Sequence, residues 1–260
     1  MELSQHIVFA FLLTLLAGLS TGIGSLIAYF IKKPKTIYLS FSLGFSAGVM
    51  IYVSFVELLP RAVSAVGQIT SVIAFFIGIL LIAVIDMMIP EARNPHHFKE
   101  MPDVPTLKVD KALLRTGLFT ALAIAIHNFP EGLTTFGTTL SDERLGIVIA
   151  LAIAIHNIPE GISVSVPLFY ATGDRKKAFR YSFLAGLAEP IGAVIGFVIL
   201  LPFLSPALLS SLLAFVAGIM VYISIDELLP MAHRYGHSHT VILGFILGMA
   251  LMAASLFILW

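Results

Sequence analysis

Apolar residues along the chain fall in eight long runs, at approximately 7–31, 37–60, 69–89, 113–139, 145–169, 180–202, 206–230 and 241–260. At about 1.5 Å rise per residue, a helix through each run is long enough to cross a hydrocarbon core of about 30 Å. The pattern predicts an all-α membrane protein with eight transmembrane helices, a single polytopic domain over residues 1–260. No Lys or Arg precedes Lys32, so the first run lacks the basic leader of a cleavable signal and is expected to remain as a helix. The longest interruption, at about 90–112, carries Pro90, Pro95, Pro102 and Pro105 among mixed charges, which predicts a linker without a fold of its own.

Composition changes the picture by naming the solvent. With 58% hydrophobic and 12% charged residues and a mean hydropathy of +1.00, the chain is too apolar for an aqueous domain, and lipid takes the place of water around it. A formal net charge of zero excludes a nucleic-acid partner of the electrostatic kind. Zero cysteine removes disulfides and thiolate ligands alike, so any metal must be held by His, Asn and carboxylates.

The few charges are distributed by side. The connections after the first, third, fifth and seventh runs, with their flanks, carry Lys32, Lys33, Lys35, Arg93, Lys99, Lys108, Lys111, Arg115, Arg175, Lys176, Lys177, Arg180 and Arg234, and the others carry only Arg61 and Arg144. The positive-inside rule then makes the odd connections cytoplasmic, with the 90–112 linker in the cytosol and both termini extracellular or periplasmic. A repeat agrees with this count: the stretch from Ala47 to Pro60, AGVMIYVSFVELLP, recurs from Ala217 to Pro230 as AGIMVYISIDELLP, offset by 170 residues throughout. The second and seventh helices would run in opposite directions, which predicts inverted repeats of helices 1–3 and 6–8 around helices 4 and 5. Inverted repeats with a polar site at mid-membrane are typical of alternating-access transporters.

Candidate chemistry lies in the fourth and fifth runs. Each carries a polar motif in an apolar setting, His127-Asn128-Phe129-Pro130-Glu131-Gly132 and His156-Asn157-Ile158-Pro159-Glu160-Gly161. A carboxylate at bilayer depth costs about 2.5–3.5 kcal/mol on the lenient insertion scale, and a bound divalent cation offsets that cost. Spacings of three and four residues place His127, Asn128 and Glu131 on one helix face, and His156, Asn157 and Glu160 on another. Pro130 and Pro159 cannot donate to the carbonyls of Ile126 and Ile155, which predicts kinks that turn backbone oxygen toward the polar face. Two imidazoles and two carboxylates on antiparallel helices suit zinc(II), iron(II), cobalt(II) or manganese(II). Glu189, in Ala188-Glu189-Pro190, adds a third helix with a buried acid beside a proline, and with Asn128 and Asn157 it would complete a second ion position.

These motifs, HN-x-PEG twice and the later AEP, resemble the ZIP family of divalent-metal transporters, most closely its bacterial zinc-uptake branch. The resemblance extends over essentially all eight helices. It implies a binuclear site whose first position uses His127, Glu131, His156 and Glu160, and whose second uses Asn128, Asn157, Glu189 and the bridging glutamates. It also implies a homodimer in the cytoplasmic (inner) membrane and an elevator-like movement of helices 1, 4, 5 and 6 against the rest. Zinc, and with it iron, manganese, cobalt and cadmium, would be imported as substrate, with no prosthetic group. The linker departs from family members with long histidine-rich loops, having only His96 and His97.

Other features carry less. Glu57 and Glu227 are placed near opposite membrane faces, where they would line the two ends of a metal path or simply reach water. Asp86 reads as a solvated charge at the end of the third helix, and His233, His237 and His239 either as collectors of released metal or as solvated loop histidines. Gly18-Leu19-Ser20-Thr21-Gly22-Ile23-Gly24 has the look of a nucleotide loop, but no strand precedes it and close helix packing accounts for it better, as for Gly192 with Gly196 and Gly244 with Gly248. An intramembrane metallohydrolase fits worse than a transporter, because near-duplicate ligand sets leave no asymmetric open coordination position and His-Glu-x-x-His is absent. A metal exporter differs only in flux direction. The charge distribution makes the topology testable: a cysteine replacing Lys99 should react with an impermeant thiol reagent only after cells are opened, and labelling in intact cells would reverse the assignment.

Overall fold

The structure, a computed structural model, describes residues 3–30, 35–87, 111–200, 205–234 and 236–259. Among them there is no strand, and the chain folds as eight helical rods. They are α1 (Leu3–Phe30), α2 (Thr36–Val66), α3 (Gln68–Met87), α4 (Lys111–Ser141), α5 (Glu143–Thr172), α6 (residues 175–200), α7 (206–233) and α8 (Ser238–Leu259). By length and composition seven are apolar enough to cross a membrane. The remaining one, α4, has 31 residues and packs among them. The linker at 90–112 and the histidines His96 and His97 lie outside the described residues, apart from the first two positions of α4.

Two of the rods change pitch at the same place in the 170-residue repeat. In α2 a π-turn, Ser54–Leu58, precedes Leu59–Val66, and in α7 a π-turn, Ser224–Leu228, precedes Leu229–His233. The cause is shared: Pro60 and Pro230 offer no N–H to the residue four positions back and crowd its carbonyl, and a widened turn relieves both. Ser54 and Ser224 each donate their hydroxyl to the carbonyl four residues earlier, at 2.7 Å in both. Glu57 and Glu227 therefore project from widened turns.

Small residues set how the rods meet. A Cβ at Gly48 would collide with the carbonyl oxygen of Phe245, and one at Gly248 with that of Phe45; Gly218 stands against the carbonyl of Phe75, and Gly78 against that of Phe215. The first two contacts belong to α2 with α8 and the last two to α7 with α3. Adding or subtracting 170 converts one pair of contacts into the other, so the repeat extends from sequence to backbone packing. Gly18 and Gly24 of α1, and Gly192 of α6, likewise meet facing backbone, which bears out the reading of those glycines as helix contacts.

The same contacts give direction. Gly44 meets Val241, and one turn later Gly48 meets Phe245, so α2 and α8 run side by side in one sense. Because α8 turns back from α7 after a short connection, α2 and α7 run oppositely, and Glu57 and Glu227 stand at opposite ends of the bundle. Outward faces are apolar, with Ile69, Phe76, Leu80 and Phe257 all exposed, while buried serines such as Ser25 and Ser165 return their hydroxyls to carbonyls of their own helix and Ser46 and Ser182 donate to carbonyls of α5. That is the arrangement expected where the surroundings accept no hydrogen bonds.

Gly48→Ala and Gly218→Ala should each lower stability by about 1–3 kcal/mol through overpacking against rigid backbone. Gly22→Ala, whose added carbon meets only the Phe183 ring at 3.3 Å, should be near neutral. Thermal unfolding of the detergent-solubilised variants separates the cases, and equal losses at all three glycines would remove the distinction.

Candidate metal site in the bundle core

Helices α4 and α5 are joined through a single residue, Asp142, whose carboxylate accepts from the Leu145 N–H and caps α5. A hairpin this tight forces antiparallel packing, and each helix runs unbroken through its proline, Pro130 or Pro159. Antiparallel register crosses the two motifs. His127 of α4 meets Glu160 of α5, with Nε2 2.8 Å from Oε1, and His156 of α5 meets Glu131 of α4, with Nε2 3.3 Å from Oε1. All four side chains are at most 2% exposed.

The asparagines, one residue along and so rotated by about 100°, face other helices. Asn157 donates to Glu189 Oε2 at 2.8 Å and to the carbonyl of Ala17 at 2.9 Å. Asn128 donates to the carbonyl of Ala185 at 3.3 Å. Glu189 itself is fully buried near the start of a helical segment, Ala188–Ile195, that follows a break in α6 at Leu187. All seven residues singled out in the sequence thus lie in one buried region where α1, α4, α5 and α6 meet. They do not form one converged ligand group: the imidazoles and carboxylates stand as two crossed pairs, because two buried carboxylates repel and each takes the nearest imidazole as partner. Asn128 reaches α6 one turn before Glu189 and makes no hydrogen bond to it.

Several donor atoms in this region have no hydrogen-bond partner: Nδ1 of His127 and His156, Oδ1 of Asn128 and Asn157, Oε2 of Glu160 and Oε1 of Glu189. An unpaired buried acceptor costs about 1–3 kcal/mol, so a group of them marks a place arranged for something that accepts lone pairs. The chemistry of the set, imidazole nitrogen with carboxylate and amide oxygen, is that of a borderline divalent cation. Access comes from one end: a cavity of about 170 Å³ is lined by Glu57 and Arg61, Thr134 and Thr138, and then Glu131 and His156. Glu57 and Arg61 form an ion pair of 2.9 Å at its rim.

At the other end the structure corrects the sequence reading. Asp86 is no solvated charge; it is 5% exposed. Among the described residues, the one group of three acidic or histidine side chains with ligand atoms within 4.8 Å of one another is Asp86, Asp226 and Glu227. The packing of α3 against α7 draws the end of α3 onto the π-turn of α7. A signal existed in the sequence, since Asp226 replaces Val56 of the first repeat copy, but which helix would face it was not legible. Of the loop histidines, His237 Nε2 lies 3.0 Å from Thr36 Oγ1 and His233 Nδ1 3.4 Å from Ser238 Oγ, so both have protein partners.

Comparison with known proteins gives one consistent result. A profile of ZIP zinc transporters matches residues 91–256. The zinc transporter ZupT of Oceanobacillus iheyensis is 57% identical, the match covering 98% of this chain and 99% of that protein. ZupT of Clostridium perfringens is 54% identical with 97% and 96% covered, and ZupT of Streptococcus mutans 55% with 98% of each. A bundle of apolar helices with a duplicated, buried His-Asn-Glu set, matched end to end by these relatives, places the chain in the ZIP zinc transporter family.

Proposed function

We propose that this chain is a secondary transporter that imports zinc(II), and with it iron(II), manganese(II), cobalt(II) and cadmium(II), across the cytoplasmic membrane through a two-position site in its core. The observation that carries the reading is the pair of crossed, buried contacts His127–Glu160 and His156–Glu131, beside which Asn157 holds Glu189. The first position is assigned to His127, Glu131, His156 and Glu160, and the second to Asn128, Asn157 and Glu189 with the glutamates between them. The relatives named as zinc transporters support zinc as the principal cargo.

Chemistry follows from the donors. A cation reaching the core exchanges its hydration shell for imidazole and carboxylate, and each ligand must be free of a proton to bind it. The crossed pairs supply the means, because each imidazole and carboxylate already holds its partner in orientation and separates from it to embrace the ion. Imidazole keeps the site soft enough for zinc, and the absence of thiolate leaves it weak enough for release. The cavity from Glu57 to Glu131 and His156 supports uptake from that end, and the carboxylates of Asp86, Asp226 and Glu227 support release at the other. With α2 running outward, as the lysine and arginine distribution implies, Glu57 is external and both termini are extracellular or periplasmic. The homodimer and the movement of α1, α4, α5 and α6 against the remaining helices belong to the same reading, supported by the family. Flux direction distinguishes an importer from an exporter.

Uptake of radiolabelled zinc into proteoliposomes tests the proposal. His156→Ala and Glu160→Ala should abolish uptake while the protein remains folded, since lipid offers no replacement ligand; near-normal uptake by Glu160→Ala would overturn the assignment. Asn157→Ala and Glu189→Ala should reduce iron or manganese uptake more than zinc uptake, because the second position is richer in oxygen, and His156→Ala should weigh more heavily on zinc. Equal loss of every metal in all three variants would merge the two positions into one.

A further inference from the structure

A second internal repeat surrounds the site and was hidden by its own substitutions. Ala17-Gly18-Leu19-Ser20-Thr21-Gly22-Ile23-Gly24 of α1 matches Ala185-Gly186-Leu187-Ala188-Glu189-Pro190-Ile191-Gly192 of α6 at an offset of 168. The structure treats the two as equivalent. Gly18 stands against the carbonyl of Gly186 and Gly186 against that of Gly18; Gly24 meets the carbonyl of Ile158 and Gly192 that of Phe129; Gly161 meets that of Thr21 and Gly132 that of Glu189. Each contact becomes its counterpart when α1 is exchanged with α6 and the α4 motif with the α5 motif. The side-chain contacts obey the same exchange, since Asn157 donates to Ala17 and Asn128 to Ala185.

Three of the eight positions differ, and the one that changes the polar group beside the asparagines is Thr21 against Glu189. Asn157 has Glu189 as an additional partner at 2.8 Å. The residue standing where Glu189 would be on the Asn128 side is Thr21, fully buried. Its hydroxyl lies against Gly186, next to the carbonyl that Asn128 contacts. Thr21 Oγ1 and Asn128 Oδ1 both lack hydrogen-bond partners, which distinguishes Thr21 from Ser25 and Ser20, whose hydroxyls bond to carbonyls of their own helix. Burying a hydroxyl without such a bond is costly unless it serves another group.

We propose that Thr21 is a further residue of the metal route: with Asn128, which it shares with the second position, it forms a neutral oxygen station for a divalent cation beside Glu189 and Asn157. The proposal rests on the core being a metal site, as argued under Proposed function. Three carboxylates, Glu131, Glu160 and Glu189, already lie in this core, and a fourth would add repulsion that a low-dielectric setting screens poorly. A hydroxyl in its place keeps an oxygen donor while holding the ion only in passing. The cation then rests on the Glu189 side and crosses the Thr21 side without being trapped, so a symmetric frame carries an asymmetric affinity.

The test uses purified full-length protein, with zinc content by equilibrium dialysis in detergent and zinc uptake in proteoliposomes. The isosteric Thr21→Val should bind as much zinc as the unsubstituted protein and transport about five-fold more slowly, the scale of one neutral polar contact. Thr21→Ser should restore the rate. Thr21→Glu, which reproduces the other half, should bind one further zinc per chain. Normal uptake by Thr21→Val, a loss that Thr21→Ser does not restore, or unchanged zinc content in folded Thr21→Glu would each overturn the proposal and leave Thr21 as a packing residue at the Gly186 crossing. Failure of the unsubstituted protein to bind or carry zinc would instead overturn the reading of the core as a metal site.

Discussion

The fold depends on one constraint: polar side chains buried among helices in lipid must find partners within the protein. His127 with Glu160 and His156 with Glu131 meet it by crossing from one helix of a tight hairpin to the other, and the asparagines meet it by reaching the backbone of α1 and α6. These contacts fix the register of four helices at once. They are also incomplete, since the second ring nitrogens and several carboxylate and amide oxygens remain unpaired. Central contacts that are arranged but unsatisfied are what supports the proposed reading of the core as a divalent-cation site.

Backbone approach serves the same end. Gly132 and Gly161, the last residues of the two motifs, lie against the carbonyls of Glu189 and Thr21, so any side chain there would push α6 or α1 away from the buried His, Asn and Glu side chains. Outside the core, Gly48, Gly78, Gly218 and Gly248 bring α2 to α8 and α3 to α7. Three sets of close crossings result: α1 with α4, α5 and α6; α2 with α8; and α3 with α7. His127, Asn128, Glu131, His156, Asn157 and Glu189 all belong to the first of these sets, with Glu160, while α2 and α7 supply part of the cavity wall.

Chemical difference within geometric likeness recurs through the molecule. Glu57 pairs with Arg61 at the rim of the cavity, whereas its repeat counterpart Glu227 stands with Asp86 and Asp226, and Met231 takes the place of Arg61. Glu189 differs from its counterpart Thr21 in the same sense. The two halves of the frame thus share backbone packing and differ in the polar groups they carry.

Much of this was legible in the sequence, because lipid imposes strong patterns. Run length and hydropathy announced the helices, offsets of three and four residues placed each histidine beside its glutamate, and the 170-residue offset exposed the likeness of α2 to α7. The partners across helices were not legible. That His127 takes Glu160 and not Glu131 follows from antiparallel docking, that Asp86 is buried with Asp226 and Glu227 follows from which rod packs on α7, and that Thr21 corresponds to Glu189 emerged only when matching backbone contacts exposed a repeat too altered to notice. Local pattern is written residue by residue in the chain, whereas these pairings are decided by how rigid rods pack, and packing depends on every small residue at every crossing together.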